Sequence, residues 1–344
     1  MINRPIQINK YEVKNRIAMP ALVCFHWADQ EGFETYDRGV HYGKRAKGGT
    51  GLIIVEATAI SKEGRLADTE LGLWRDGHIP QFQKLAASAH AEGAVVIIQL
   101  VHAGRQGVGP SVYSSSSASL AEKECHAMSA EQIEQVKRDF VSAAIRAKQA
   151  GLDGVEIHGA HGYLLSQFTS KEVNDRSDQY GGSLDNRLRL SLDILTAIRE
   201  AVGKEFILCY RLGVNDPTME EDRYFARKLE QIGVDLLNVS SGIGANNLEM
   251  PEISYDPITY MGTEIYKEVD IPVICVFGIR DPKQAEYLLE NDLIDMVAVG
   301  RGLLADPEWT NKAIAKDKIN ICYHCKPRCR YVIDGRECPW YSSF

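Results

Sequence analysis

Two imidazoles and a phenol fall within six residues of one another, at His158, His161 and Tyr163. They close a short stretch in which Val155 and Ile157 alternate with Glu156 and His158, the pattern of a strand end running into a loop. Packing explains such a group poorly, whereas chemistry explains it well: two hydrogen-bond donors and a proton source meet at one spot. A metal pair is the competing reading, but two histidines need a third ligand and an open position, and only Glu156 is at hand. A Schiff-base enzyme is disfavoured, because no candidate strand end carries a lysine.

Other residues with chemical potential are spread along the chain. Arg211 lies in the apolar run ILCYRLG, and a guanidinium directed into a protein interior needs an anion; a core carboxylate such as Glu156 is the plain partner. Gln99 sits in another apolar run, where an unsatisfied amide is costly. The stretches VFGIRDP and VGRGLLADP carry Gly278, Gly300 and Arg301, whose backbone N–H groups and guanidinium suit an oxyanion such as phosphate. Four of the eight cysteines crowd the C-terminal end in the order C-x2-C-x3-C-x8-C-P, at Cys322, Cys325, Cys329 and Cys338. Three close thiolates and a fourth followed by proline suit a [4Fe–4S] cluster; zinc is the alternative, with His324 widening the donor set.

The elements that must position these groups alternate between short apolar runs and amphipathic segments. Periodicity predicts strands at 16–21, 51–57, 94–102, 154–160, 206–213, 236–241, 272–278 and 296–300. Helices are expected at 78–93, 129–151, 186–203 (capped at Asp185), 219–233, 258–269 and 281–291, several closing on a glycine. Eight strands with intervening helices predict an α/β fold, a single (β/α)8 TIM barrel over 1–320 with a small cysteine-rich appendix over 321–344. A doubly wound sheet would usually carry G-x-G-x-x-G after an early strand, and the chain contains none. In a barrel the chemistry belongs at the strand ends, where His158, Arg211, Gly278 and Gly300 fall. The serine run 114–117 is expected in a loop edging that face.

The stretch from His158 to Arg187 reads H-x-x-H-G-Y-L followed by N-x-R-x-D-x-Y-G-G-S-x-x-N-R. In this it closely resembles the old yellow enzyme superfamily of FMN-dependent ene-reductases. The resemblance implies non-covalent FMN and an α,β-unsaturated enone or enoate whose C=C bond is reduced. His158 and His161 would hold the carbonyl oxygen as charge builds, and Tyr163 would protonate the α-carbon, its pKa keeping it protonated. It also implies that Pro20 and Ala21 offer backbone contacts to the flavin, with Ala57 at the next strand end. A flavin-tuning position falls on Val23, which cannot hydrogen-bond, although Cys24 is adjacent. Gln99 would pair with the polar edge of the flavin ring, Arg211 with the edge that becomes negative on reduction, and Gly278, Gly300 and Arg301 with the phosphate. The cysteine run resembles that of the iron–sulfur branch, which includes 2-enoate and 2,4-dienoyl-CoA reductases. Dienoyl-CoA reductases carry a second histidine where this chain reads Gly242-Ile243-Gly244-Ala245-Asn246, so ordinary enoate or enone reduction is the expectation. Electrons would come from NAD(P)H directly, or from a redox partner protein docking near the cysteines. Oxidative chemistry feeding electrons out through the cluster, or an electron-transfer subunit without substrate chemistry, are the rival readings.

The whole chain sets the limits. A net charge of -8 without a basic stripe argues against nucleic acid or an anionic membrane surface. No run is long and apolar enough to cross a bilayer. The start lacks the apolar run of a secretory signal, so the expectation is a cytoplasmic protein with reduced thiols. A homo-oligomer is compatible with all of this.

Overall fold

A computed structural model describes residues 1–120, 123–244, 248, 250–253 and 255–341. Ala245 and Asn246, at the place of the dienoyl-CoA reductase histidine, and the last three residues of the appendix lie outside the described residues.

Eight strands close into a parallel barrel: β1 (Ile17–Met19), β2 (Leu52–Ala59), β3 (Val95–Val101), β4 (Gly154–Gly159), β5 (Ile207–Val214), β6 (Leu236–Ser241), β7 (Val273–Val276) and β8 (Met296–Ala298). Their near-continuous apolar sequences follow from burial on both faces, the outer one under helices. Those helices are α1 (Arg38–Lys47), α2 (Ile79–His90), α3 (Ala130–Gln149), α4 (Leu184–Val202), α5 (Glu220–Gln231), α6 (Pro257–Tyr266), α7 (Pro282–Glu290) and, after a short turn at Arg301–Ala305, α8 (Trp309–Ala315). The predicted barrel is therefore the observed one.

Side chains alternate across each strand, and the alternation sorts the interior by height. Leu52, Ile54, Ile97, Ile207, Leu236, Ile274 and Met296 form a lower inner cluster, closed from below by Ile6, Ile8 and Val13 of an antiparallel hairpin. Further along the strands the interior turns polar, with Gln99, Glu156 and Asn238 followed by Arg211, two positions beyond the apolar Cys209. Two positions beyond Glu156 and Asn238 come His158 and Ser240. The register aligns Gln99 with Glu156, and Arg211 with both His158 and Asn238. The outward residues Ile53, Val55, Val96 and Ile98 pack in the layer beneath the helices.

Three local expectations change. Helix α4 is capped by Ser183, whose hydroxyl accepts from the Asn186 N–H, and not by Asp185. Helix α1, absent from the periodicity reading, starts under an Asp37 cap. The serine run does not edge the site: Ser111–Ser114 pairs with Glu124–Ala127 in a small sheet, and the Ser114 and Ser115 hydroxyls bond to Gln167. The run thereby braces the short helix Leu164–Thr169 behind Tyr163. The C-terminal stretch folds back onto the turn after β1, where Ile333 O accepts from His26 N and the Cys24 thiol accepts from Gly335 N at 3.0 Å.

Candidate active site

Strand β4 ends at Gly159 and delivers His158 upward, while the tight turn after it puts His161 in a left-handed conformation at φ 58°. The three rings converge. His158 lies 4.9 Å from His161 and 4.9 Å from Tyr163, centroid to centroid, edge to face in each case. His158 Nδ1 accepts from the Ala160 N–H at 3.2 Å, so its Nε2 carries the proton. That Nε2 lies 3.2 Å from His161 Nδ1, and His161 Nε2 lies 2.8 Å from Ser240 Oγ. Burial drives the His158 imidazole well below its ordinary pKa, with His161 and Arg211 adding to the effect; His161, which is open to the cleft, is pushed the same way by partial desolvation and by Arg211. The pair is neutral at physiological pH and can donate without carrying charge. Burial, helped by Glu70, pushes Tyr163 up to about 12 and keeps it a phenol.

Below this cluster Glu156 is fully buried and accepts from Gln99 Nε2 at 2.6 Å and from Asn238 Nδ2 at 2.7 Å. The Cys209 thiol lies 3.4 Å from the same carboxylate. Two sequence arguments change here. Gln99 satisfies its amide on Glu156, so its burial needs no ligand. The Glu156 oxygens are in turn occupied by these neighbours, and the alternative ion pair with Arg211 does not form. Arg211 is buried with Nε and Nη1 lacking any partner, and burial lowers its pKa. Buried, unmatched guanidinium donors are costly and ask for an acceptor.

That acceptor has a place. A cavity of about 410 Å³ opens over the barrel end and is shared by His161, Arg211, Pro20, Ala21, Gly278 and Gly300, with Arg301 at one wall. Gly278 has φ 74°, and a Cβ there would lie 2.7 Å from Asp256 Cβ, so the backbone approach belongs to glycine. The Arg301 guanidinium lies over the Phe277 ring. The unmatched Arg211 donors and the glycine- and arginine-lined far end fit a flat ring with an electron-rich edge and a phosphate tail, as in FMN. The remaining expected contacts lie outside this cavity. Val23 is half-buried, and Leu22 takes the wall instead. Cys24 is buried, its sulfur accepts from the Gly335 N–H, and it does not line this cavity. Ala57 sits in an irregular register of β2 between Val55 and Thr58, beside Glu56, which pairs with Arg38 at 2.5 Å.

Cys322, Cys325, Cys329 and Cys338 line one small neighbouring cavity of about 20 Å³, together with Tyr331 and Arg301. All four are free thiols. Burial, and then the neighbouring thiols, raise the Cys338 pKa. Among the described residues no three His, Cys, Asp or Glu side chains converge where one metal ion would sit. The ligand set of a single zinc ion is therefore not formed among the described residues.

Sequence reasoning overlooked Ser240 and Glu70. Ser240 was legible in principle as an inward position at the end of β6. Glu70, in the run ADTELG, reads as solvated charge yet is buried.

Residues 2–320 match the NADH:flavin oxidoreductase / NADH oxidase family, and the chain belongs to that family, the old yellow enzyme superfamily. It is 37% identical to an NADH oxidase of Thermoanaerobacter brockii, over 96% of this chain and 53% of that protein. It is 37% identical to an NADPH dehydrogenase of Listeria innocua, over 88% of this chain and 90% of the relative. Among solved structures, 2-naphthoyl-CoA reductase in complex with 2-naphthoyl-CoA superposes with a TM-score of 0.85 at 29% identity, over 93% of this chain and 53% of that one. The chain thus spans about half the length of the first of these relatives. Among the described residues no helix is long and apolar enough to cross a membrane.

Proposed function

We propose that the protein is an FMN-dependent ene-reductase that reduces the activated C=C bond of an α,β-unsaturated carbonyl compound, with NAD(P)H as electron source. The observation that carries this reading is the convergence of two neutral imidazoles and a phenol beside the unmatched Arg211. FMN, when bound, supplies the hydride. The protein's own residues do the rest. His158 Nε2–H and His161 donate to the carbonyl oxygen and stabilise the charge that builds there. Ser240 fixes the His161 ring. Tyr163 delivers its proton to the α-carbon. Arg211 holds the electron-rich edge of the flavin ring and Arg301 the phosphate. The shared cavity of Cys322, Cys325, Cys329 and Cys338 supports reading them as ligands of a [4Fe–4S] cluster, which iron and sulfide analysis of anaerobically purified protein tests; iron without sulfide, or zinc, would overturn it.

The function is tested by anaerobic mixing of flavin-reduced protein with cyclohexenone or a 2-enoate. The parent should reoxidise with saturated product formed. Tyr163→Phe should slow that step by about a hundredfold or more while leaving enone binding nearly unchanged. Parent protein that binds FMN yet is not reoxidised by any enone would refute the reading.

A further inference from the structure

Gln167 lies in the short helix that follows Tyr163, and it is fully buried. Every hydrogen-bonding position of its amide is used. Nε2 donates to Gly162 O at 2.6 Å and to Ala103 O at 3.2 Å; Oε1 accepts from Arg105 N at 3.1 Å and from Ser114 Oγ at 2.7 Å. One side chain thus joins the turn after β3, the small serine-bearing sheet and the reacting turn. The fit is close: Gly104 has φ 60°, and a Cβ there would lie 2.1 Å from Gln167 Oε1. The peptide it grips is Gly162–Tyr163. Gly162 O also accepts from Gln106 Nε2 at 2.9 Å, Tyr163 N donates to Ala160 O at 3.2 Å, and Tyr163 O accepts from Gln167 N at 2.8 Å. The peptide unit is rigid, so fixing its plane fixes where the Tyr163 side chain leaves the backbone. Gly162, at φ 71°, would otherwise leave the turn free to pivot. His161 is held separately, its carbonyl by Gln106 Nε2 at 2.9 Å and its N–H on Ser241 O at 2.9 Å.

We propose that Gln167 is the positioning residue that aims the Tyr163 phenol, so that proton delivery depends on it while the grip of the histidine pair on the carbonyl oxygen does not. This deepens the ene-reductase reading above and rests on it. Gln167 does not line the cavity assigned to the cofactor, and it exchanges no proton. Tyr163–OH still gives its proton to the α-carbon; Gln167 keeps short the distance over which that proton passes. A displacement of about 1 Å at a reacting group costs up to about a hundredfold in rate. Both Gln167 N–H donors are taken by Gly162 and Ala103, so its influence reaches the substrate through Tyr163 and not through the His161 ring.

The test is a double-mutant cycle on reduced, FMN-loaded protein mixed anaerobically with cyclohexenone. Gln167→Leu should slow flavin reoxidation by about tenfold to a hundredfold, while a phenolate ligand titrated by its charge-transfer band binds as it does to the parent. In Tyr163→Phe protein the same change should cost nothing further, because the group it aims is gone. Gln167→Glu supplies the conservative rescue, and carries the cycle alone if Gln167→Leu does not fold. Its carboxylate has no proton to donate to Gly162 O, whereas the protonated acid has one, and burial favours the protonated form. Relative to parent at the same pH, Gln167→Glu should be slow at high pH and recover as pH falls, with Gln167→Leu slow throughout. A merely structural role would not show this rescue. Losses that add to that of Tyr163→Phe, a weakened phenolate ligand, or a Gln167→Glu rate that stays as slow as Gln167→Leu down to low pH each overturn the proposal. A parent that cyclohexenone does not reoxidise overturns the assigned reaction and this role with it; a parent that is reoxidised alongside additive losses overturns the role alone.

Discussion

At the scale of single residues, the site trades stability for binding, and Arg211 shows it most directly. Its unmatched buried donors are a cost to the flavin-free protein and an asset once an acceptor arrives. Arg211→Met, of similar volume, should therefore stabilise flavin-free protein by about 1–3 kcal/mol while abolishing the rise in melting temperature on FMN addition. Calorimetry with and without FMN measures both, and a variant destabilised in both states would contradict the account. Ser240→Ala probes the histidine pair more gently. Losing one hydrogen bond to His161 Nε2 should weaken a phenolate ligand by about 1 kcal/mol, roughly fivefold, read from the ligand's charge-transfer titration.

At the scale of elements, the C-terminal segment is fastened to the barrel by shape and by a buried hydrogen-bond chain. Arg45 Nη1 donates to His41 Nδ1 at 3.0 Å, which leaves His41 Nε2–H facing the Tyr331 hydroxyl at 3.2 Å. A Cβ on Gly335 would lie 2.1 Å from Trp27 Cζ2. Gly335→Ala should thus loosen the segment at a cost of about 1–3 kcal/mol, and limited proteolysis should trim residues beyond Ile321 while the barrel survives. His41 adds a pH signature. Burial, with Arg45 and Arg38, holds it well below its ordinary pKa, so the unfolded chain binds the extra proton as pH falls below about 6.5. The stability gap between parent and His41→Gln, measured by urea midpoints, should narrow from pH 8 to pH 5. These fastenings were not legible beforehand, because they join residues far apart in the chain. The barrel strands were legible because burial on both faces demands unbroken apolar runs such as LIIV and VVII. Helix α1 was not: its sequence RGVHYGKRAK reads as polar, and only packing reveals that His41 and Arg45 face inward. At the site the histidine–tyrosine motif was plain, whereas Ser240, which bonds to His161, and the Glu156 hub below arise from strand register.

At the scale of the whole molecule, the barrel wall is unevenly stitched. Strand β5 runs alongside β4 from Ile207 to Leu212 and alongside β6 from Cys209 to Val214, and Glu156 ties this half together from inside. On the opposite side β1 meets β2 only at Ala18 and Met19, and meets β8 only at Ile17 and Ala18. The first half carries His158 and His161, the proposed catalytic pair; the second carries Pro20, Ala21 and Gly300, which line the proposed cofactor's cavity. Backbone amides of a long, internally braced ladder open rarely, and those of a two-residue seam open readily. Hydrogen exchange on flavin-free protein should accordingly find a slow half from β4 to β6 and a fast seam at β8, β1 and the start of β2, with FMN protecting the seam selectively. The molecule would then work like a vice with one fixed jaw: the fixed jaw keeps the reacting groups in register through every cycle, and the hinged jaw decides when the cofactor enters and leaves.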